Sequence, residues 1–379
     1  MAESTEIAWT KSTFNPWIGC QKVGPGCDNC YAEALDSRKV FGGAVHFGAR
    51  VPRMRTKPAN WNQVKRWNRQ APKSEFAGIR GFWPVFCASL ADVFDNEVDT
   101  AWRDDFWALV RECPNLTFQV LTKRIGNVAK MLPPDWGTGY PNVWLGVTIV
   151  NQDEADRDIH KLLAVPATKR FLSMEPLLGP VDLTLGMNAT APGATDGGPQ
   201  IDWVIVGGES GPNARPMHPQ WIRNIRDQCV VANVPFLFKQ WGEWVPRHSC
   251  YHTFEDGTDC EYLDPNATKW TLASLNESGV DGGCSDNSDR CISVQRVGKV
   301  MAGRLLDGVR HDVFPLQELL PCPFCGSADI RHIIDKSDDE YEFVMCGGCG
   351  ACVSRADSMP ERRPIEVWNM RSNSKLLIS

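Results

Sequence analysis

Six short apolar runs, at 83–88, 117–121, 143–149, 170–173, 203–206 and 235–238, recur along the chain between longer stretches of helical period at 101–111, 153–163 and 219–231. A less marked run leads into Cys20. Strands that alternate with helices at this spacing specify a parallel sheet, so the fold class is α/β. The expectation is a partial or complete (β/α) barrel, with a doubly wound open sheet as the alternative.

Nearly every expected strand ends in a charged or glycine-bearing signature. These are Cys-Ala-Ser-Leu-Ala-Asp (87–92), Leu-Thr-Lys-Arg (121–124), Gly-Val-Thr (146–148), Ser-Met-Glu-Pro (173–176), Gly-Gly-Glu-Ser-Gly (207–211) and Lys-Gln-Trp-Gly (239–242). Each alone also reads as a turn or a cap. Their convergence on the carboxyl ends of strands favours the barrel, because that is the edge at which such folds do chemistry.

The chain of 379 residues has room for one large domain and one small one, and its 42% hydrophobic and 23% charged residues are ordinary globular usage. A net charge of -6 argues against coating nucleic acid by bulk charge and leaves room only for a local basic face. The first residues lack a basic start followed by an apolar run, and no stretch approaches eighteen apolar residues. The expected setting is therefore cytoplasmic, with no membrane partner.

Fifteen cysteines in a reducing compartment point to metal or redox chemistry before disulfides. Near the C-terminus Cys322, Cys325, Cys346 and Cys349 form C-x2-C-x20-C-x2-C, a zinc-ribbon spacing whose four thiolates would close a tetrahedral, structural Zn2+ site. Cys352 is surplus. The ribbon reads equally as a folding staple, a protein-contact module or a nucleic-acid contact. Cys250, Cys260, Cys284 and Cys291 match no metal spacing and fall in a Gly/Asp/Ser/Asn-rich segment, about 245–296, expected to be an irregular insertion. The expected domains are 1–315 and 316–379.

Near the N-terminus Cys20, Cys27 and Cys30 form C-x6-C-x2-C in a glycine-bearing loop. Three thiolates leave one metal position open; a zinc site completed by a distant histidine and a purely structural cluster are the other readings.

From 47 to 74 the chain holds Arg50, Arg53, Arg55, Lys57, Lys65, Arg66, Arg69 and Lys73, no acidic residue, and the interleaved Trp61 and Trp67. Of these, Arg53, Arg55, Trp61 and Trp67 are candidate contacts to phosphates and unstacked bases. The competing reading is a solvated helix whose tryptophans face the core.

The blocks Asn-Pro-Trp-Ile-Gly-Cys (15–20), Gly-Cys-Asp-Asn-Cys-Tyr-Ala (26–32), Leu-Thr-Lys-Arg, Ser-Met-Glu-Pro-Leu-Leu-Gly (173–179), Gly-Gly-Glu-Ser-Gly and Gly-Arg-Leu-Leu-Asp-Gly (303–308) resemble a phage-associated three-cysteine family related to radical SAM enzymes, over about 5–315. Ordinary radical SAM enzymes use C-x3-C-x2-C with an aromatic residue often before the last cysteine; here the first gap is longer and Asn29 takes that place. The resemblance implies a radical-SAM-type barrel in which Cys20, Cys27 and Cys30 ligate a [4Fe-4S] cluster that binds S-adenosyl-L-methionine, with an electron donor as a partner. It makes Ser89, Asp92, Thr148, Ser173, Glu175 and Glu209 candidates to hold the cofactor's amino group, its ribose hydroxyls or substrate. Lys123, Arg124, Arg215 and Lys239 become candidates for carboxylate or phosphate. No catalytic residue is assigned.

Residues of about 318–373, with Leu-Leu-Pro-Cys-Pro-Phe-Cys-Gly-Ser (319–327), Cys-Gly-Gly-Cys-Gly-Ala (346–351) and Ile-Glu-Val-Trp-Asn-Met-Arg (365–371), resemble the restriction alleviation protein family. Together the resemblances imply a phage radical SAM enzyme in host cytoplasm. Its expected work is DNA base hypermodification that evades restriction: an isomerase moving an N-linked amino acid on the thymine 5-methylene to a carbon-linked form, with modified DNA and a protein encoded nearby as partners. The alternative is a non-enzymatic, zinc-stabilised DNA-binding or anti-restriction protein.

Overall fold

The computed structural model describes residues 4–183, 200–246, 271–276, 291–315, 322, 324–325, 330–335 and 341–354. The chain divides into two compact units, Met1–Asp312 and Val313–Ser379.

The first unit is built on a seven-stranded sheet: β1 (Ser12–Thr13), β2 (Pro84–Cys87), β3 (Thr117–Thr122), β4 (Val143–Thr148), β5 (Lys169–Met174), β6 (Trp203–Gly207) and β7 (Phe236–Gln240). Every neighbouring pair is parallel and the spatial order follows the chain order. A doubly wound sheet reverses its order at a switch point. This sheet does not, so it winds in one direction as a barrel does. Among the described residues β1 and β7 do not pair, and the sheet is an open, curled half-barrel.

The curl shows in what one side chain touches. Trp9 meets Phe86 of β2 at 4.6 Å, Phe171 of β5 at 6.2 Å and Trp203 of β6 at 6.4 Å between ring centroids. In a flat sheet β2 and β5 stand three strand spacings apart, about 14 Å, too far for one indole to reach both. Trp144 of β4 joins the cluster edge-on to Trp203 at 5.9 Å. Gly146 makes the room: a Cβ there would lie 2.3 Å from the Phe171 ring.

Alternation along the strands puts the other face outward. Val85, Phe118, Val120, Leu145, Val147, Leu172, Val204 and Val206 pack against helices α2 (Pro58–Gln70), α3 (Thr100–Glu112), α4 (Ile125–Met131), α5 (Gln152–Ala164) and α6 (Pro219–Val231). A short α1 (Tyr31–Asp36) precedes them. Helix starts carry side-chain caps: Asp99 accepts from Ala101 N at 2.9 Å, and Asn151 from Glu154 N at 3.0 Å.

The inward face changes character along each strand. Its amino-terminal part is the aromatic plug, and its carboxyl-terminal part carries Thr148, Ser173, Glu175 and Lys239. The segment expected to be irregular instead contributes an antiparallel sheet of Trp244–Pro246, Cys291–Arg296 and Thr271–Asn276. Cys250, Cys260 and Cys284 lie outside the described residues.

The second unit contains an antiparallel sheet of Ile330–Asp335, Tyr341–Cys346 and Cys352–Ser354. No helix among the described residues is long and apolar enough to cross a membrane.

Candidate functional site

The loop that carries Cys20, Cys27 and Cys30 is fixed at the carboxyl-terminal edge of the half-barrel. Gly19 bridges to Ala91 just beyond β2, its N–H donating to Leu90 O at 3.0 Å. Cys20 is half-buried and accepts from Arg124 Nη1 at 3.3 Å, while Arg124 Nη2 donates to Gln21 O at 2.8 Å. Burial first, then the charges of Asp92 and Asp95, push the Cys20 thiol up to about 12 against the pull of Arg124. Cys27 closes a short turn, Pro25–Cys27, and is buried; Cys30 is half-buried at the start of α1. The backbone at Gly26 lies so close to the end of β4 that a Cβ would meet Val150 Cγ1 at 2.8 Å and Lys123 Cε at 3.4 Å.

A clasp closes the loop from the other side. Arg215 donates to Glu209 from Nε (2.9 Å to Oε2), Nη2 (2.7 Å to Oε1) and its backbone N–H (2.8 Å to Oε2). The same guanidinium reaches Asp28 Oδ2 at 3.0 Å and Pro25 O at 2.9 Å. Asn29 Nδ2 donates to Glu209 Oε2 at 3.0 Å and to Asn213 O at 2.8 Å. Burial works to raise the Glu209 carboxyl, but these hydrogen bonds outweigh it and hold the group below its usual value.

The mouth beneath is polar. Lys123 Nζ donates to Thr148 Oγ1 at 3.2 Å, and Thr148 is the register partner of the buried Ser173. Lys239 pairs with Glu175 through Oε2, whereas Glu175 Oε1 is buried with no hydrogen-bond partner. Ser89 is held at the rim, with its hydroxyl taking a bond from Asn15 Nδ2 at 2.9 Å and its carbonyl one from Tyr31 Oη at 2.6 Å.

The strand-end candidates thus divide into two groups. Thr148, Ser173, Glu175, Lys123 and Lys239 line the mouth, with Ser89 at its rim. Asp92, Glu209, Arg124 and Arg215 are spent on the protein itself. Asp92 accepts from Thr122 Oγ1 at 2.8 Å, Lys123 N at 3.0 Å and Phe94 N at 2.9 Å, and pairs with Arg124 at 3.4 Å. These four hold the cysteine loop.

The basic stretch needs a correction. The Arg53 side chain is 1% exposed, paired to Asp95 at 2.8 Å and bonded to the carbonyls of His46, Gly48 and Val51. Trp67 is fully buried against the core, stacked on Trp83 at 6.3 Å. Neither can meet a nucleic acid, since burial removes both from solvent. Arg55 lies over Trp61 at 4.8 Å and bonds Asp105 at 2.6 Å, in an open groove of about 590 Å³ between α2 and α3. Asn15, Asn29 and Tyr31 lay inside the quoted motifs without a role assigned to them, and Asp95 lay just beyond the 87–92 block.

In the second unit Cys322, Cys325, Cys346 and Cys349 present sulfurs that all lie within 4.8 Å of one another. The set could hold Zn2+, and its four thiolates would fill a tetrahedral shell. Burial opposes ionisation of Cys346, but backbone N–H groups of Cys349 and Gly348 outweigh it and place the thiol below its usual value. Among the described residues no other set of three or more potential ligands converges this closely.

No curated protein and no solved structure matches the chain. Residues 317–372 match the family described as restriction alleviation protein Lar. Residues 4–315, the whole half-barrel unit with its cysteine loop, match the family described as protein of unknown function (DUF5131). The match spans well over half of the sequence and takes in the loop, the clasp and the polar mouth together, and on that ground the chain belongs to the DUF5131 family.

Proposed function

We propose that this protein is a radical SAM enzyme acting on bases of DNA. One observation carries the reading: a loop of three cysteines is clasped over the carboxyl-terminal mouth of a parallel half-barrel whose interior turns polar at that edge. The donor set suits a [4Fe-4S] cluster. Cys20, Cys27 and Cys30 would each supply a thiolate to one iron, and three cysteines would leave one iron open. When bound, such a cluster with S-adenosyl-L-methionine supplies reductive cleavage of the sulfonium and a 5′-deoxyadenosyl radical.

The chain's own residues do the rest. Arg124 donates to Cys20 and fixes it; Glu209 and Arg215 hold the loop at Pro25, Asp28 and Asn29. The aromatic plug closes the floor of the mouth against water. The unpartnered Glu175 Oε1 has room in its bonding for an ammonium group, and Lys123, which bonds the Thr148 hydroxyl, is placed for a carboxylate oxygen. A base within duplex DNA reaches this mouth only when extruded, at an unpairing cost of a few kcal/mol.

The narrower reaction is the isomerisation implied by the resemblance. The bond from nitrogen to the thymine 5-methylene breaks, a bond from the amino acid α-carbon to that methylene forms, and the α-hydrogen ends on nitrogen. Substrate and product have the same atoms and no net oxidant is required. The likeness of the second unit to restriction alleviation protein Lar supports placing this chemistry in evasion of restriction.

The test is anaerobic quantification of iron, sulfide and zinc, with EPR of the reduced protein with and without S-adenosyl-L-methionine. The expected signal shifts with S-adenosyl-L-methionine and vanishes in a Cys20/Cys27/Cys30 triple-alanine variant. Zinc alone at both cysteine sets after anaerobic reconstitution sinks the radical reading. The zinc-stabilised DNA-binding or anti-restriction protein, which the four converging sulfurs favour, then takes its place.

A further inference from the structure

Between Asp36 and His46 the chain forms a closed loop. Asp36 is fully buried at its neck, where Oδ2 accepts from His46 N at 2.6 Å and Phe47 N at 3.2 Å, and Oδ1 meets His46 Nδ1 at 2.8 Å. Between these two buried residues every side chain except half-buried Phe41 is exposed. Arg38 and Lys39 stand on the loop beside Val40 (55% exposed) and Val45 (42%), and Arg50 stands just past the neck. None of the three cations has an ion-pair partner among the described residues, and no acidic residue occurs from 37 to 74.

The base of this loop is tied to the cysteine loop. Gly48 N donates to Cys20 O at 2.8 Å, and Arg53 binds the carbonyls of His46 and Gly48 while pairing with Asp95, beyond β2. The loop therefore rises from the edge at which the mouth opens. On the neighbouring α2 face, by contrast, Arg55 and Lys65 are neutralised by Asp105 and Glu112.

We infer that the loop from Asp36 to Arg50 is the docking surface for duplex DNA, with Arg38, Lys39 and Arg50 on its phosphates and Val40 and Val45 against its sugars or an opened base step. The inference rests on the base-modification reading above. In a chain of net charge -6, three unpaired cations fixed beside the mouth supply local complementarity to a polyanion where a base would enter. The rigid neck means that little order has to be gained on binding.

The test is anisotropy of a labelled 20-bp DNA duplex titrated with the full chain over a range of salt. Each phosphate contact contributes a slope of about 0.9 in log K against log salt, so an Arg38→Gln/Lys39→Gln/Arg50→Gln variant should flatten the slope by about 2.7 and weaken binding about tenfold or more near 0.1 M salt. A single Arg38→Glu variant, at an exposed site away from the neck, should weaken binding in the same direction. Circular dichroism checks the fold of both. An unchanged slope, or a loss seen only in an Arg69→Gln/Lys73→Gln variant at and just beyond the end of α2, overturns the assignment and leaves base modification standing. Tighter binding to anionic phospholipid vesicles or to duplex RNA than to DNA also overturns it. Failure of the wild type to bind any DNA removes the DNA substrate as well, while the EPR result decides the radical chemistry separately.

Discussion

Asn29, lying between the second and third cysteines of the loop, donates its side-chain amide to Glu209 Oε2 at 3.0 Å, across 180 positions of sequence. Here a polar side chain ties the cysteine loop to the end of β6, and Arg215 completes the tie by bonding Glu209, Asp28 and Pro25. The loop's shape is thereby set by the barrel edge.

Cutting the clasp should loosen the loop more than it unfolds the unit. Breaking a buried pair costs about 3–5 kcal/mol, but a third of the Arg215 side chain (33%) stays in water, so Arg215→Ala is expected to cost about 1–3 kcal/mol. Deuterium exchange over 24–30 should accelerate and iron retention should fall. Unchanged exchange at those residues would remove the clasp from the account.

Acid should act on the same pair. The Glu209 carboxyl lies below its ordinary value in the folded chain, so its contribution is full above the unfolded value, about 4.3, and fades as pH falls through the lower folded value. The urea midpoints of wild type and Glu209→Gln should differ by a constant amount above about pH 5 and converge at more acid pH. A gap that widens on acidification contradicts this.

Inside the half-barrel, Gly146→Ala should drive a methyl into the Phe171 ring. Phe171 is buried at 1% exposure among Trp9 and Trp203 and has nowhere to swing. The expected loss is about 1–3 kcal/mol by urea denaturation. A neutral result would mean that the aromatic plug is loosely packed.

Metal should matter differently to the two units. Cys346→Ser, or a strong chelator, should release zinc and expose 322–354 to protease, because a ribbon this small draws much of its folding free energy from the metal. The thermal transition of the half-barrel unit should stay in place. Zinc retained at full stoichiometry in Cys346→Ser would place the ion elsewhere.

Glu175 and Lys239 offer a check on the mouth. On the proposed radical SAM reading, Glu175→Gln should leave iron loading intact and weaken S-adenosyl-L-methionine or substrate binding about tenfold, the loss of one charge-assisted hydrogen bond. Calorimetry on the reconstituted protein reads this directly, and equal affinity in the variant would clear the residue of any ligand role.

Much of the framework was written locally. The runs at 117–121, 143–149 and 203–206 became β3, β4 and β6 within one residue, and 219–231 became α6 with Pro219 in its first turn. Strand and helix periods are covalent spacings, legible without knowing what packs against them. The segment at 245–296 misled because its strands lie in a polar stretch and pair antiparallel with partners far along the chain. Trp67 and Arg53 show the same limit. An indole six residues from another, or a guanidinium in a basic run, looks available until the fold supplies Trp83 or Asp95.

Legible in the sequence were a parallel α/β unit with polar strand ends, a three-cysteine loop near its start and a four-cysteine ribbon after it, because periodicity and short metal-ligand spacings are properties of neighbours on the chain. The fold alone assigned each charge its partner. Asp92, Arg124, Glu209 and Arg215 neutralise one another and hold the loop, while Glu175, Lys239, Lys123 and Thr148 face the mouth. A charge's role depends on its partner, and these partners stand up to 190 residues apart, brought together by the curl of the sheet.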